Sequence, residues 1–593
     1  MSDSHDKRYL IHEAQAAPKN RKRKPMPSTD ILKRIKQILR IIYSKEEAGD
    51  TFRGLKNLMD LHGRNETIIA RRKKYNDQVA LTERDVILIT YADTIYSGQE
   101  KPLRTLSRFL EKYVQNAVSG AHILPFSPSS SDGGYAVINH KEVDPRLGTW
   151  EDIRAIAQDY RVMVDLVINH VSTKSRWFTG FLHGDKRYRN YFLPYDSRVD
   201  MPKVFRPREH PLLTEFDTAM GRKYVWTTFG VDQIDLNFKN PEVLIKMIDV
   251  MLFYLTQGVE IIRLDAIGYV WKEPNTSCVN LAKTHQIVRL LRAILEYAAP
   301  YAVIVTEVNF PYKDNVSYFG EGHEANMVYK FSLPPLVMDA FARKDTSYLR
   351  KVKKRLRDDL LFFNFLASHD GIALLAAEEI LEEKDFENLL EITKSHGGFI
   401  SYRATDGGNV PYELNISYFD AINDPNRLND PLAGKRFIAS QAIMLALKGI
   451  PGIYVHSLLG SRNYYQGVKD TGMKRTINRE TLREEDLQAS LSDIHSMRYQ
   501  VLHSLLHLLN ARGKSPCFHP AGAMEVLDFD TRLFAVSRRL QGETVTVVVN
   551  VSDERVTLPE YKGYSDLLSA RVFDGAVDPY GAYFLTPDHE GLR

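Results

Sequence analysis

The rhythm of hydrophobic and polar positions changes twice along the chain. After Ser28, Thr29 and Asp30, each able to cap a helix, apolar residues fall at Ile31, Leu32, Ile35, Ile38, Leu39 and Ile42. This is the i, i+3, i+4, i+7 spacing of an amphipathic helix. Phe52, Leu55, Leu58 and Met59 predict a second helix. From Asp85 the pattern becomes short β-branched or aromatic runs separated by helix-length segments. They stand at Val86–Tyr91, Ala121–Phe126, Val162–Ile168, Glu260–Asp265, Val303–Val308, Met327–Ser332, Leu361–Ala367 and Gly449–Val455. Eight strands, mostly with helices between them, predict an α/β fold of the (β/α)₈ TIM barrel kind rather than an open sheet.

Two connections are too long for a single helix. Residues 171–258 carry Trp177, Phe178, Tyr188, Tyr191 and Trp226 and predict an inserted subdomain at the barrel mouth. Residues 371–435 contain the Gly/Asn/Pro-rich GGNVPYELN and predict a shaped loop over the site. Leu487–Leu509 has the period of one long helix, with Gly513 near Pro516 as its expected stop. The period then shortens: Leu533–Val536 and Thr544–Val551 flank Gln541-Gly542, the signature of a hairpin in a small β domain. The expected organisation is an arm and helical extension at 1–84, a barrel at 85–170 and 259–515, the insert at 171–258, and a β domain at 516–593.

Composition narrows the class. Among 593 residues, 44% are hydrophobic and 26% charged, ordinary values for a soluble globular chain. Lys+Arg 79 against Asp+Glu 75 leaves +4, too near balance for a polyanion-binding surface over the whole molecule. Five of the six residues Lys19–Lys24 are basic; a solvated tail is expected there, with a nucleic-acid tether as the alternative. Two cysteines cannot make a disulfide framework, and no leader-like segment opens the chain, so a cytoplasmic protein is expected. No apolar run approaches the roughly 18 residues of a membrane span. Cys278, with no placed histidine partner, reads as a packed thiol.

Chemistry in such a barrel gathers at the C-terminal ends of its strands. Polar residues interrupt the apolar runs there: Asp165 through Asn169-His170, then Arg263 and Asp265, Glu307, and His369-Asp370. Acids from three strands, with histidines and an arginine, suit glycosidic bond cleavage. One ionised carboxylate attacks the anomeric carbon, and one protonated carboxyl protonates the leaving oxygen. Arg263, two residues before Asp265, points to the same side of the strand and supplies the cation a nucleophile needs.

The segments DLVINHVS, GVEIIRLDAIGY, VIVTEVN and ASHDGIA resemble the four signature regions of the α-amylase superfamily of barrel glycosidases and transglycosylases. The resemblance implies Asp265 as nucleophile, Glu307 as acid/base and Asp370 as transition-state stabiliser, with Arg263, His170 and His369 on the sugar. SPSSSDGGYAVINHKEVDPRLGTWEDI, VDQIDLN and RTINRE are similar to the sucrose phosphorylase group. They imply glucose contacts by Asp132, Tyr135, Gln233 and Arg479. WKEPNTSCVN, VPYELN and the LLGSRN–TGMKRTINRE region look like the glucosylglycerate phosphorylases of that group.

This implies transfer of glucosyl from 2-O-α-glucosylglycerate to inorganic phosphate, the cosubstrate, with retained configuration. The alternatives are phosphorolysis of glucosylglycerol, sucrose 6-phosphate or sucrose, an α-glucosidase or transglucosylase on the same site, and a non-catalytic amylase-like binding protein. Anionic acceptors want cations; Arg403, Arg462 and Lys474 are the candidates, with Tyr412 and Glu413 for acceptor hydroxyls. Asp165, Asn169 and His170 can belong to a calcium-linked cluster in amylases, but the phosphorylase resemblance implies neither metal nor organic cofactor.

Overall fold

The computed structural model describes residues 27–354, 360–405, 407–427 and 429–587. The basic run at 19–24 lies outside them. Eight parallel strands close a barrel: β1 (Ile87–Thr90), β2 (Gly120–Ile123), β3 (Arg161–Val167), β4 (Val259–Asp265), β5 (Val303–Thr306), β6 (Met327–Tyr329), β7 (Phe362–Phe365) and β8 (Ile450–Tyr454). They neighbour one another in chain order, and β8 returns to β1. All eight expected strands are present. Several end earlier than their apolar runs, because Leu124, Phe126, Leu366 and Ala367 stay buried in the loops beyond the last ladder pair. Burial continues where hydrogen bonding between strands has stopped, so hydrophobicity alone overshoots the strand end.

Three helices precede the barrel: α1 (Ser28–Ile42), α2 (Lys45–Gly63) and α3 (Glu66–Lys74). The expected cap of α1 is corrected: Pro27 takes the N-cap position, and Ser28–Asp30 form the first turn, where Asp30 favours the positive end of the helix. Ile31, Ile35, Ile38, Leu39 and Ile42 are buried against the helix Ala282–Ala298, while α2 packs on Pro241–Thr256. Arg71 of α3 donates to Glu260 Oε1 at 3.0 Å and to the Ala157 carbonyl at 2.8 Å. The extension is thus part of the barrel's wall.

Of the 171–258 connection, the part up to the strand Gln233–Asp235 is an insert with a three-stranded antiparallel sheet, Pro194–Tyr195, Leu213–Thr218 and Gly221–Trp226. Pro241–Thr256 is instead the barrel helix leading to β4, and the cover of α2 and α3 explains its apolar residues on several sides. The 371–435 connection is more than a loop. It holds the helix Glu383–Ser395 and the hairpin Phe399–Thr405/Gly408–Asn415, whose second strand pairs with Ile372–Ala373.

The long helix expected near the C-terminal end is two helices, Glu484–Ser492 and Met497–Lys514. Ser496 caps the second by accepting from Tyr499 N at 3.0 Å. Gly513 does not stop it; Ser515 does, held extended because Pro516 follows. Beyond lies a six-stranded sheet. Its hairpin Leu533–Leu540/Glu543–Asn550 turns on Gln541 and Gly542, with φ of 53° and 90°, the pair of positive φ values that a two-residue turn matching strand twist requires.

Candidate active site

Parallel register sets Arg263 of β4 beside Asp165 of β3 and Val305 of β5, so the guanidinium sits inside the barrel between two acids. Its NH1 donates to Asp265 Oδ1 at 2.7 Å and closely to Asp165 Oδ1. His122 of β2 meets the other Asp165 oxygen at 2.7 Å. Burial would raise the Asp165 carboxyl, but Arg263 and His122 outweigh it and hold it well below the usual carboxylate range. Asp165 is therefore a fixed counter-ion that keeps Arg263 in place.

The chain turns sharply after Asp265. Ala266 has φ 48° and ψ 31°, a left-handed conformation rarely adopted by a residue with a Cβ. That turn aims Ala266 N at Glu307 Oε2, 3.0 Å away, and so locks the two acids' loops together. Burial pushes the carboxyls of Asp265 and Glu307 both upward, and the Glu307 charge adds to the rise at Asp265. Asp265 touches a guanidinium, whereas Glu307 accepts from one backbone N–H. The guanidinium beside Asp265 favours its charged form, and Glu307 has no such cation in direct contact.

Asp370 follows β7. Burial would raise its pKa, but Arg475, His369, Arg263 and Arg479 together hold it well below the carboxylate range. Arg475 NH1 lies 2.7 Å from Asp370 Oδ1, and Arg475 NH2 3.0 Å from Glu413 Oε2. Glu413 also accepts from Gly371 N, so each of its oxygens has a protein partner and it orients Arg475 while lining the cavity.

One cavity is lined by Asp132, Tyr135, His170, Gln233, Arg263, Asp265, Glu307, His369, Asp370, Tyr412 and Glu413, along with Arg208 and Arg475. Gln233 Nε2 donates to Asp132 Oδ2 at 3.1 Å and lies 3.2 Å from His170 Nε2. The Tyr135 and His369 rings stack at 5.1 Å and 8°. Burial lowers His369 to about 3 and also lowers His170, leaving both imidazoles neutral. Arg479 does not line the cavity: its Nε donates to the His369 carbonyl at 2.8 Å and its NH2 stands 4.0 Å from Asp370, so it supports the wall from behind.

Three expected acceptor cations are elsewhere. Arg403 stands over Phe205, 5.4 Å from the ring centroid, and lines a neighbouring cavity. Arg462 pairs with Asp420 in another pocket. Lys474 Nζ donates to the Ile400 carbonyl at 2.8 Å. Besides Arg263, the cations that line the cavity are Arg475, adjacent to Lys474, and Arg208, in the insert. No ion pair engages Arg208 among the described residues; it lies 5.8 Å from the Phe229 and Tyr412 ring centroids and donates to the Pro207 carbonyl at 3.2 Å. Nothing in one-dimensional spacing separates Arg475 from Lys474, or marks Arg208 among the basic residues of VFRPRE.

Barrel, strand-end acids and the Arg263 bridge are those of a glycosidic-bond enzyme of the α-amylase kind. Residues 112–377 match the α-amylase catalytic domain. The chain is 47% identical over 525 residues to the glucosylglycerate phosphorylase of Spirochaeta thermophila, covering 88% of this chain and 89% of that protein. It is 40% identical to the glucosylglycerate phosphorylase of Escherichia coli, over 86% and 92% of the two chains. The sucrose 6F-phosphate phosphorylase structure from Thermoanaerobacter thermosaccharolyticum superposes with a TM-score of 0.71 at 27% identity, over 80% of this chain and 95% of that one. The chain belongs to the α-amylase family, within its glycoside phosphorylases.

Proposed function

We propose that the protein transfers glucosyl from 2-O-α-glucosylglycerate to inorganic phosphate, releasing glycerate and α-glucose 1-phosphate. Asp265 attacks the anomeric carbon while Glu307 gives its proton to the departing glycerate oxygen, leaving a β-glucosyl ester on Asp265. Asp370, ionised between its arginines, binds sugar hydroxyls and favours the positive charge that develops on the ring. Phosphate then attacks the ester from the face that glycerate left, and Glu307, now a carboxylate, takes its proton. Tyr412 and Arg475 close the acceptor side.

Arg208 carries the choice of acceptor. A guanidinium facing the cavity with no acid to neutralise it suits a carboxylate in the first half-reaction and phosphate in the second. A hydrolase needs no such charge. Two buried free thiols, Cys278 and Cys517, fit a reducing compartment, and we place the reaction in the cytoplasm. The test is phosphate release from α-glucose 1-phosphate with glycerate, glycerol, fructose or fructose 6-phosphate as acceptor, with wild type and Arg208→Ala. Glycerate should be preferred by wild type, and the variant should lose about tenfold or more on glycerate, at the roughly 1.5–3 kcal/mol of a charge-assisted bond, and less on glycerol. Glucose released from the glucoside at one rate with and without phosphate would defeat the reading.

A further inference from the structure

Asp232, half-buried near the end of the insert, accepts from three hydroxyls. Ser130 Oγ donates to its Oδ2 at 2.5 Å, Ser131 Oγ to the same oxygen at 2.7 Å, and Thr173 Oγ1 to its Oδ1. Lys174 N donates to Ser172 Oγ at 2.9 Å, and the Oγ atoms of Ser172 and Ser130 lie 2.5 Å apart. A serine has one proton to give. That of Ser130 goes to the carboxylate, so Ser172 donates to Ser130 and the chain of donors runs toward Asp232. Burial would raise the Asp232 carboxyl, but the hydroxyls of Ser130, Thr173 and Ser131 outweigh it and leave its pKa lowered. It is an ionised acceptor, and its hydrogen bonds are of the stronger, charge-assisted kind.

Three segments meet at this carboxylate, and each leads to a residue of the cavity. Ser130 and Ser131 precede Asp132, Ser172 and Thr173 follow His170, and Asp232 precedes Gln233, which pairs with Ser172. Asp132, Gly133 and Gly134 have φ of 55°, 59° and 100°. Of these Asp132 is the costly one, since a residue with a Cβ holds a left-handed conformation only where its surroundings over-determine it. Gly133 has no room for a side chain: a Cβ there would stand 2.6 Å from Arg479 NH1 and 2.7 Å from Tyr91 OH. Backbone bonds close the turn on itself, Ser130 N to the Ala136 carbonyl at 3.1 Å and Ala136 N to the Ser131 carbonyl at 3.3 Å. Asp232 ties it outward, to the strand from which Gln233 Nε2 reaches Asp132 Oδ2. Asp232 itself stands outside the cavity's lining.

We propose that Asp232 is a positioning residue for the glucosyl unit: through Ser130 and Ser131 it holds Asp132 in its left-handed turn and within hydrogen-bond distance of Gln233. The inference rests on Asp132 as a glucose contact. The probe is therefore α-glucosyl fluoride, whose cleavage needs the glucose site but neither glycerate nor phosphate. A wild type that cleaves the fluoride but ignores phosphate would sink the phosphorylase reading alone. An Asp132→Ala variant as active as wild type on the fluoride would remove the glucose contact, and this inference with it.

Monodeoxy-α-glucosyl fluorides supply the comparison. The deoxy sugar that Asp132→Ala cleaves most nearly as well as wild type does marks a hydroxyl held by Asp132. Asp232→Ala should lose about tenfold or more in kcat/KM on the parent fluoride, the scale of a small misplacement of binding groups, and most of that loss should vanish on the marked deoxy sugar. Ser130→Ala/Ser131→Ala, which keeps the carboxylate and removes the tie, should lose in the same selective way; that comparison stands even if Asp232→Ala does not fold. All three substitutions together should cost little more than Asp232→Ala alone, because they break one connection. A purely structural role would lower the parent and the deoxy sugar by the same factor. Equal losses on the two sugars, wild-type kcat/KM in Asp232→Ala or in the double serine variant, or losses that multiply in the triple variant would each overturn the proposal.

Discussion

Glu307 is half-buried with one backbone N–H for a partner, an isolation that suits the acid role proposed for it and also has a cost. Its pKa is raised from 4.5, so glucoside cleavage should fall as pH rises through the raised value and the acid is lost. Glu307→Gln should lack that alkaline limb and retain part of the turnover of substrates with good leaving groups, measured as pH profiles of kcat; Asp265→Ala should be inactive on all of them. Stability runs the same way. A carboxyl whose folded pKa is raised contributes fully below its unfolded pKa and loses that contribution as pH climbs through the folded value. At neutral and alkaline pH, Glu307→Gln should therefore melt at a higher temperature than wild type. The acids, Arg263 and both histidines are legible in sequence because strand ends dictate where they point. Arg475 and Arg208 are not legible, because loop and insert residues take their direction from folded neighbours.

At the scale of elements, periodicity found the eight barrel strands, α1, α2 and the C-terminal hairpin, where local pattern and tertiary burial agree. It missed the break at 493–496, since apolar spacing passes through the turn unchanged. It also could not foresee that α3 turns Arg71 toward the barrel floor. Glu260, 2% exposed at the start of β4, has Arg71 at 3.0 Å, Tyr75 OH at 3.2 Å and Arg161 at 3.6 Å. Arg71→Met should leave that carboxylate less neutralised and cost about 2 kcal/mol, less than a fully broken buried pair because Arg161 and Tyr75 remain. Calorimetry should show the lower melting temperature, with kcat unchanged, since Glu260 stands at the opposite end of β4 from Asp265.

Across the whole molecule, two buried arginines whose hydrogen bonds go to backbone carbonyls, Arg512 on the barrel side and Arg538 on the sheet, line the seam between the barrel and the C-terminal sheet. Arg512, fully buried, donates to the carbonyls of Leu445 and Gly449 at 3.3 Å each and to that of Glu83; Arg538 donates to those of Ala446 and His519. Phe518 lies against both guanidiniums. Arg512→Met would strand three carbonyls, at roughly 1 kcal/mol or more each, and should lower the melting temperature while folded protein keeps its kcat. The chain alone determined the barrel, its strand order and the three acids, because each follows from side-chain periodicity and from the rule that strand ends face the site. Only the folded molecule decided which cations face the cavity and how Asp265 and Glu307 are partnered. Those depend on distances between segments far apart in sequence, and charge interactions follow distance in space.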